Sequence, residues 1–142
     1  VGEIDSINAK VLHDLIDDDY IPIIASIGAN EDGQSYNINA DTVAAEIAAS
    51  IQADKIIFLT DVEGLYKNLE TKQNVISSLS FEESREMIET GRVQGGMLPK
   101  VQGCARAVEA GVKRAHILNG TVPHALLLEI FTNEGIGTMI SK

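Results

Sequence analysis

Three stretches of this chain carry residue types that can hold a polar ligand. In Tyr36-Asn37-Ile38-Asn39-Ala40-Asp41-Thr42-Val43-Ala44, two amides and a carboxylate stand directly before a small-residue amphipathic pattern. Asn37 and Asn39 have the same parity, so in an extended segment they point to one side. Asn39 can also cap the helix that follows. Two amides beside the positive end of a helix dipole offer directional donors to a carboxylate or an amide. The plainer account is an Asn-rich turn with an N-cap. Asp41 suits both, because negative charge is favoured in a first helical turn.

The second stretch is Gly95-Gly96-Met97-Leu98-Pro99-Lys100, a flexible approach to a helix start that bears a lysine. Backbone N–H groups at a helix start, joined by an ammonium, make a phosphate site. The spacing is not that of a Walker A loop, and no GK[ST] follows; a lone exposed lysine is the simpler alternative. The third stretch, Leu59-Thr60-Asp61-Val62-Glu63-Gly64-Leu65-Tyr66, joins a strand end to a turn. Its backbone groups can meet a base edge, Gly64 permits close approach, and Asp61 can accept from a ribose hydroxyl or cap the turn.

The elements that must position these residues alternate. A helix is predicted over Ile7–Asp18 from Val11, Leu12, Leu15 and Ile16. Asp17-Asp18-Asp19 ends it as a solvated corner, since acids are poorly placed at a helix C-terminus. Tyr20–Ile27, nearly all apolar, predicts a buried strand. Gly28–Ser35 reads as a loop or hairpin, and a helix is expected over Ala40–Gln52 with Val43, Ile47 and Ile51 on one face. Lys55–Thr60 predicts a second buried strand. A polar loop through Asn74 leads to a short strand at Val75-Ile76. Ser80 and Glu83 form a capping box for a helix to Thr90, closed by Gly91. Pro99 suits the first turn of a helix running to Gly111. Ala115–Leu118 predicts a strand, Pro123 opens a helix through Thr132, and Gly137–Ser141 makes a last strand. Such alternation predicts an α/β fold, a three-layer αβα sandwich around a mostly parallel sheet. Ligands then bind beyond the carboxyl ends of strands, which selects the loops after Ile27, after Thr60 and before Pro99.

At 142 residues the chain is one domain by length, with 44% hydrophobic and 23% charged residues. With no Trp and only 4% aromatics the core must be aliphatic. A net charge of -10 argues against nucleic acid or an anionic membrane as the principal partner. The single cysteine, Cys104, cannot form an internal disulfide, which fits a reducing cytoplasm, and it reads as a small core residue. No signal peptide or membrane-length apolar run is present.

The three stretches occur in the same order in the acetylglutamate kinases of the amino acid kinase family, which YNINADTVA, LTDVEGLY and GGMLPKV resemble. The ending HALLLEIFTNEGIGTMI is similar to that family's C-terminus, so the likeness runs over nearly the whole chain. It is a likeness to the C-terminal, nucleotide-binding half. The N-terminal half, with its phosphoryl-gripping lysine and Gly-rich loops and its substrate-binding arginine, has no counterpart here and is expected to be absent. The resemblance implies phosphorylation of the side-chain carboxylate of N-acetyl-L-glutamate by ATP in arginine synthesis, with this half inactive alone. The alternatives are a relative acting on a carrier-linked aminoadipate and a non-catalytic nucleotide- or arginine-binding regulatory module.

By resemblance, Lys100 stabilises charge on the transferring phosphoryl group, and Asp41 orients lysines, chiefly Lys100. The acceptor is already a carboxylate and needs no general base. Asn37 binds acetylglutamate, with Asn39 beside it as a substrate residue or, more simply, the cap. Asp61, Val62, Glu63, Gly64, Leu65 and Tyr66 line the adenine and ribose pocket, with Arg92, Val93 and Gln94 as a second nucleotide stretch. Magnesium is held mainly by ATP oxygens, since no protein carboxylate cage is visible. His13, His116 and His124 are too scattered for a metal triad. His116, Glu129 and Gly135 resemble the arginine-feedback site of the inhibitable kinases, the alternative being a buried His and an exposed Glu. The implied setting is cytoplasmic, or the plastid stroma in a plant or alga. The implied complete enzyme is a homo-oligomer, while arginine sensitivity and any P-II-type regulator are not readable from these residues.

Overall fold

The computed structural model describes residues 2–68, 73–132 and 135–142. The central sheet has four strands in the order β3-β7-β8-β6: β3 (Lys55–Thr60), β7 (Arg114–Asn119), β8 (Thr138–Ser141) and β6 (Ser78–Ser80). β3 and β7 are parallel with Thr60 opposite Asn119, β6 and β8 are parallel, and β8 runs antiparallel to β7. The sheet is mostly parallel, as the alternating pattern predicts.

One face is covered by α2 (Ala40–Ser50), α4 (Met97–Glu109) and α3 (Phe81–Glu89), the other by α5 (Ala125–Phe131). The parity of β7 sorts its side chains between them. Ala115 and Ile117 enter the core beside Val101, Cys104, Ala107 and Val108 of α4, all fully buried, whereas His116 meets Glu129 of α5. The core is aliphatic apart from Phe58, Met87 and Cys104. Each large aliphatic buried there contributes about 1.5–3 kcal/mol.

Local signals placed most element ends. α3 carries the complete capping box: Ser80 Oγ accepts from Glu83 N at 3.1 Å, and Glu83 Oε2 accepts from Ser80 N at 2.7 Å. Asn39 caps α2, accepting from Thr42 N at 3.1 Å. α4 takes Pro99 in its first turn, where a missing N–H costs nothing. α1 (Ala9–Asp17) is capped by Asn8, and Asp17, Asp18 and Asp19 turn an exposed corner after it.

Four expectations need correction. Tyr20–Ile27 is not a buried strand: only Ile27 enters one, β1 (Ile27–Ala29), which pairs antiparallel with β2 (Ser35–Asn37). Ile21 is 90% and Ile23 97% exposed. An apolar run demands burial, but a strand also needs neighbours to take its N–H and C=O groups, and for residues 21–25 none of the described residues supplies them. Second, the expected strand at Val75-Ile76 is β5 (Gln73–Val75), hairpinned to β4 (Tyr66–Asn68); residues 69–72 of the expected loop lie outside the described residues. Third, the residues after Ile76 add β6, too short to show a period. Fourth, α5 starts after His124, which has φ 60°, so the turn after Pro123 precedes the helix.

Candidate functional site

α2 and β3, and likewise α4 and β7, are successive helix–strand pairs that run antiparallel, so both helices start at the carboxyl ends of the parallel strands. Their first turns lie side by side there. Lys100 Nζ donates to both oxygens of Asp41, at 2.9 and 3.2 Å, and both side chains are one-fifth exposed. A partly buried, two-oxygen contact holds the ammonium in place far better than an exposed pair would. Two turns along, Arg106 Nε donates to Glu46 Oε1 at 2.8 Å, tying the same helices again.

The close approach depends on Gly103. A Cβ there would stand 2.9 Å from Phe58 Cζ, 3.5 Å from the Asp41 carbonyl oxygen and 3.6 Å from Ala45 Cβ. Gly103 on α4 meets Ala45 on α2, and Ala107 and Ala48 on the same two helices are likewise buried. The alanines of α2 signal close packing in the sequence. The matching small residues four apart on α4 are the signal that could have found its partner.

The amino end of α4 is open. Gly96 caps it without a side-chain bond, and a Cβ on Gly95 or Gly96 would meet nothing within 4 Å. Leu98 N is taken by Gly95 O at 3.2 Å and Pro99 has no N–H, so the N–H groups left at that end are those of Gly96 and Met97, which with the Lys100 ammonium one turn in suit a phosphate oxygen. Asp41 leaves Lys100 a remaining N–H to donate, because an ammonium has three.

The turn Asp61–Tyr66 follows β3 at the same end. Gly120 N donates to Thr60 O at 2.8 Å, drawing the loop after β7 against it. Asp61, accepting from Thr60 Oγ1 at 3.3 Å, and Glu63 are exposed, whereas Gly64 and Leu65 are buried. The need for glycine at 64 is internal. Its φ is 154°, and a Cβ would lie 2.6 Å from Thr138 Oγ1 and 3.1 Å from Val75 Cγ1. The close approach at Gly64 is thus made by β8. Thr138, which the sequence does not single out, anchors the turn: Oγ1 accepts from Leu65 N at 2.8 Å and donates to Ile76 O at 2.7 Å, fully buried. Nothing local marks it, since a Thr in a strand is ordinary.

The remaining candidates divide. Asn37 is exposed at the end of β2, and no side-chain hydrogen bond holds it among the described residues. Asn39 spends its side-chain oxygen on the α2 cap. Arg92 and Gln94 are exposed, but Val93 is 3% exposed and belongs to the core, leaving only its backbone for a ligand. A cavity of about 710 Å³ lies between residues 3–8, α1, the β1–β2 hairpin and α2. It is lined by Tyr36 and Ile38 but by neither Asp41 nor Lys100. Its size reflects the uncovered Tyr20–Ile27 run, so the ion pair is the better marker of the chemistry.

On the opposite face of β7, His116, Glu129 and Gly135 do come together. His116 Nδ1 and Glu129 Oε1 are 2.7 Å apart, and Ile136 N donates to Glu129 Oε2 at 2.8 Å. A Cβ on Gly135 would stand 3.1 Å from that carboxylate. Glu129, which the plainer of the two sequence readings left exposed, has a side chain only 10% exposed. His116 Nε2 is buried without a partner among the described residues. His13 and His124 are exposed and apart from this group.

Burial, and secondarily the Asp41 charge, push the Cys104 thiol far above its ordinary range, so it stays protonated. No cluster of three His, Cys, Asp or Glu among the described residues can hold a metal ion.

The model of the amino acid kinase family matches residues 1–119. The chain belongs to the amino acid kinase family. It is 60% identical, over 99% of its length, to the acetylglutamate kinase of Caldicellulosiruptor bescii, of which it covers 47%. It therefore spans about half the length of the curated relatives it matches. Among solved structures, N-acetylglutamate synthase from Neisseria gonorrhoeae, complexed with coenzyme A and L-arginine, superposes with a TM-score of 0.91. That likeness has 30% identity and covers 100% of this chain and 32% of the other. Carbamate kinase from Giardia lamblia bound to AMP-PNP shares the fold, with a TM-score of 0.70 at 22% identity, covering 96% of this chain and 45% of the other. In this amino acid kinase chain, no helix among the described residues is long and apolar enough to cross a membrane.

Proposed function

We propose that this chain is the ATP-binding, C-terminal part of an acetylglutamate kinase, the enzyme that transfers the terminal phosphoryl group of ATP to the side-chain carboxylate of N-acetyl-L-glutamate in arginine synthesis. The observation that carries the reading is the Lys100–Asp41 pair at two adjacent helix starts. The substrate carboxylate attacks the terminal phosphorus, an O–P bond forms, and the bond to the bridging oxygen breaks to release ADP. The attacking oxygen is already ionised, so no proton moves. Such a reaction asks for position and charge neutralisation, which Lys100 and the N–H groups of α4 supply. Asp41 holds Lys100 on target. Magnesium carried by the nucleotide would add charge neutralisation there. Asp61–Tyr66 and Arg92–Gln94 serve the nucleotide, and Asn37 donates to the acyl amino acid.

In the complete enzyme, Lys100→Ala should lower kcat by roughly 30- to 1000-fold, equivalent to about 2–4 kcal/mol, with a smaller change in KM. Unchanged turnover in the folded variant would sink the assignment. The isolated chain should bind ATP yet fail to phosphorylate acetylglutamate.

Within the same reading, His116, Glu129 and Gly135 form an arginine effector site. The unpartnered Nε2 of His116 beside a buried carboxylate supports this, as does the L-arginine complex of the Neisseria synthase. The working place of the enzyme is the cytoplasm.

A further inference from the structure

The carboxyl edge of the sheet carries a polar side chain that the site described above leaves unused. β3 and β7 end in register, Thr60 opposite Asn119, so the two backbones stand about 4.8 Å apart. Alternation along each strand gives their face. Thr60 follows Ile56 and Phe58, and Asn119 follows Ala115 and Ile117, all four buried in the core under α2 and α4. Thr60 and Asn119 therefore emerge on the side of the sheet that carries Lys100 and Asp41. Their height matches as well. Gly103 lies against the Phe58 ring; Thr60 is two strand residues beyond Phe58, about 6.6 Å, and Lys100 is three helical residues before Gly103, about 4.5 Å. Asn119 is half-buried, and the two ends of its amide differ. Oδ1 accepts from Thr121 N at 2.9 Å and from Thr121 Oγ1 at 2.7 Å. A backbone N–H can only donate, which fixes the oxygen on that side. Nδ2 donates to none of the described residues and is open to solvent. Beside it, Asp61 turns its carboxylate back to Thr60 Oγ1 at 3.3 Å, and Gly120 N holds Thr60 O at 2.8 Å. An amide donor and a carboxylate acceptor thus flank one place at the sheet edge.

We propose that Asn119 is a nucleotide-binding residue, its Nδ2 donating to one hydroxyl of the ribose while the Asp61 carboxylate accepts from the other. The inference rests on the ATP reading above. The ligand chemistry follows from the pair. A vicinal diol presents two neighbouring oxygens, each able to donate and to accept, and so satisfies an amide N–H and a carboxylate together. A phosphate there would be repelled by Asp61, and the phosphates already have Lys100 and the open start of α4 on the same face.

The test titrates the 142-residue chain with ATP, 2′-deoxy-ATP, 3′-deoxy-ATP and inorganic tripolyphosphate. Asn119→Ser keeps an oxygen that can accept from Thr121 N, but its side chain is too short to reach the ribose. It should weaken ATP binding by roughly fivefold, the worth of about one hydrogen bond, and leave tripolyphosphate binding unchanged. One of the two deoxy nucleotides should bind the parent chain more weakly by a similar factor and lose nothing further on substitution. In the parent chain the Asn119 side-chain NH2 resonances should shift with ATP but not with that analogue or with tripolyphosphate. Hydrogen exchange at the Gly120 amide, which bonds Thr60 O, reports whether the loop survives the substitution. Unchanged ATP affinity with Gly120 still protected would overturn the proposal. Equal weakening of ATP and both analogues would do the same, since it would make Asn119 a loop anchor only. Where the Ser variant loses its loop, the NH2 resonances of the parent decide: left in place by ATP, they refute the contact. The two readings fail separately. A parent chain that binds no ATP refutes the ATP reading and this contact with it, whereas ATP bound with Asn119 unaffected refutes the contact alone.

Discussion

Thr138→Val tests whether one hydroxyl holds the candidate nucleotide turn. The substitution keeps the β-branched shape but removes the group that accepts from Leu65 N and donates to Ile76 O. Both backbone groups lose their partner in a site from which Thr138 excludes solvent completely. Leaving a buried donor or acceptor unsatisfied costs about 1–3 kcal/mol each, so the two together should cost about 2–6 kcal/mol. The methyl that replaces the hydroxyl cannot approach N or O as closely, which adds to the cost. Against a total stability of about 5–15 kcal/mol this is a large fraction. At about 3 °C per kcal/mol for a chain of this size, the melting temperature should fall by roughly 6–18 °C. Thr138→Ser retains both bonds and loses only a methyl, about 1 kcal/mol. Equilibrium denaturation measures both variants, and hydrogen exchange at the Leu65 amide locates the effect: protection lost with Val, kept with Ser. If Val is as stable as the parent with Leu65 still protected, or if Ser costs more than Val, the anchoring argument is refuted.

Gly103→Ala should destabilise by about 1 kcal/mol, the overpacking against Phe58 outweighing a helix-propensity gain. Adding Phe58→Leu should recover part of it, a coupling that chemical denaturation of both singles and the double would read. The capping-box contacts hold the Glu83 carboxyl below its ordinary range, chiefly through the Ser80 backbone N–H. A depressed folded-state value means that this stabilisation is present above the ordinary glutamate range and fades as pH falls through the folded value. Glu83→Gln should therefore flatten the acid limb of the stability–pH curve, and an unaltered limb would discount the box. Cys104 should not react with a thiol reagent until the chain unfolds, because it is fully buried and held protonated; rapid labelling of native chain would contradict this.

The sequence by itself determined what depends on neighbours along the chain. Ser80 and Glu83 announced the start of α3, Asn39 the start of α2, and KIIFLT a strand, since caps and side-chain periodicity act within a few residues. The reaction class came from three motifs that resemble a family, not from any spacing that forces chemistry. Tertiary structure decided the rest. Lys100 meets Asp41 across 59 positions only because Gly103 lets two helices touch, and Gly64 must be glycine only because Thr138 arrives from the last strand. The Tyr20–Ile24 run shows the same limit from the other side. Its composition states a demand for burial, yet the described residues leave Ile21 90% and Ile23 97% exposed, because hydrophobicity carries no address.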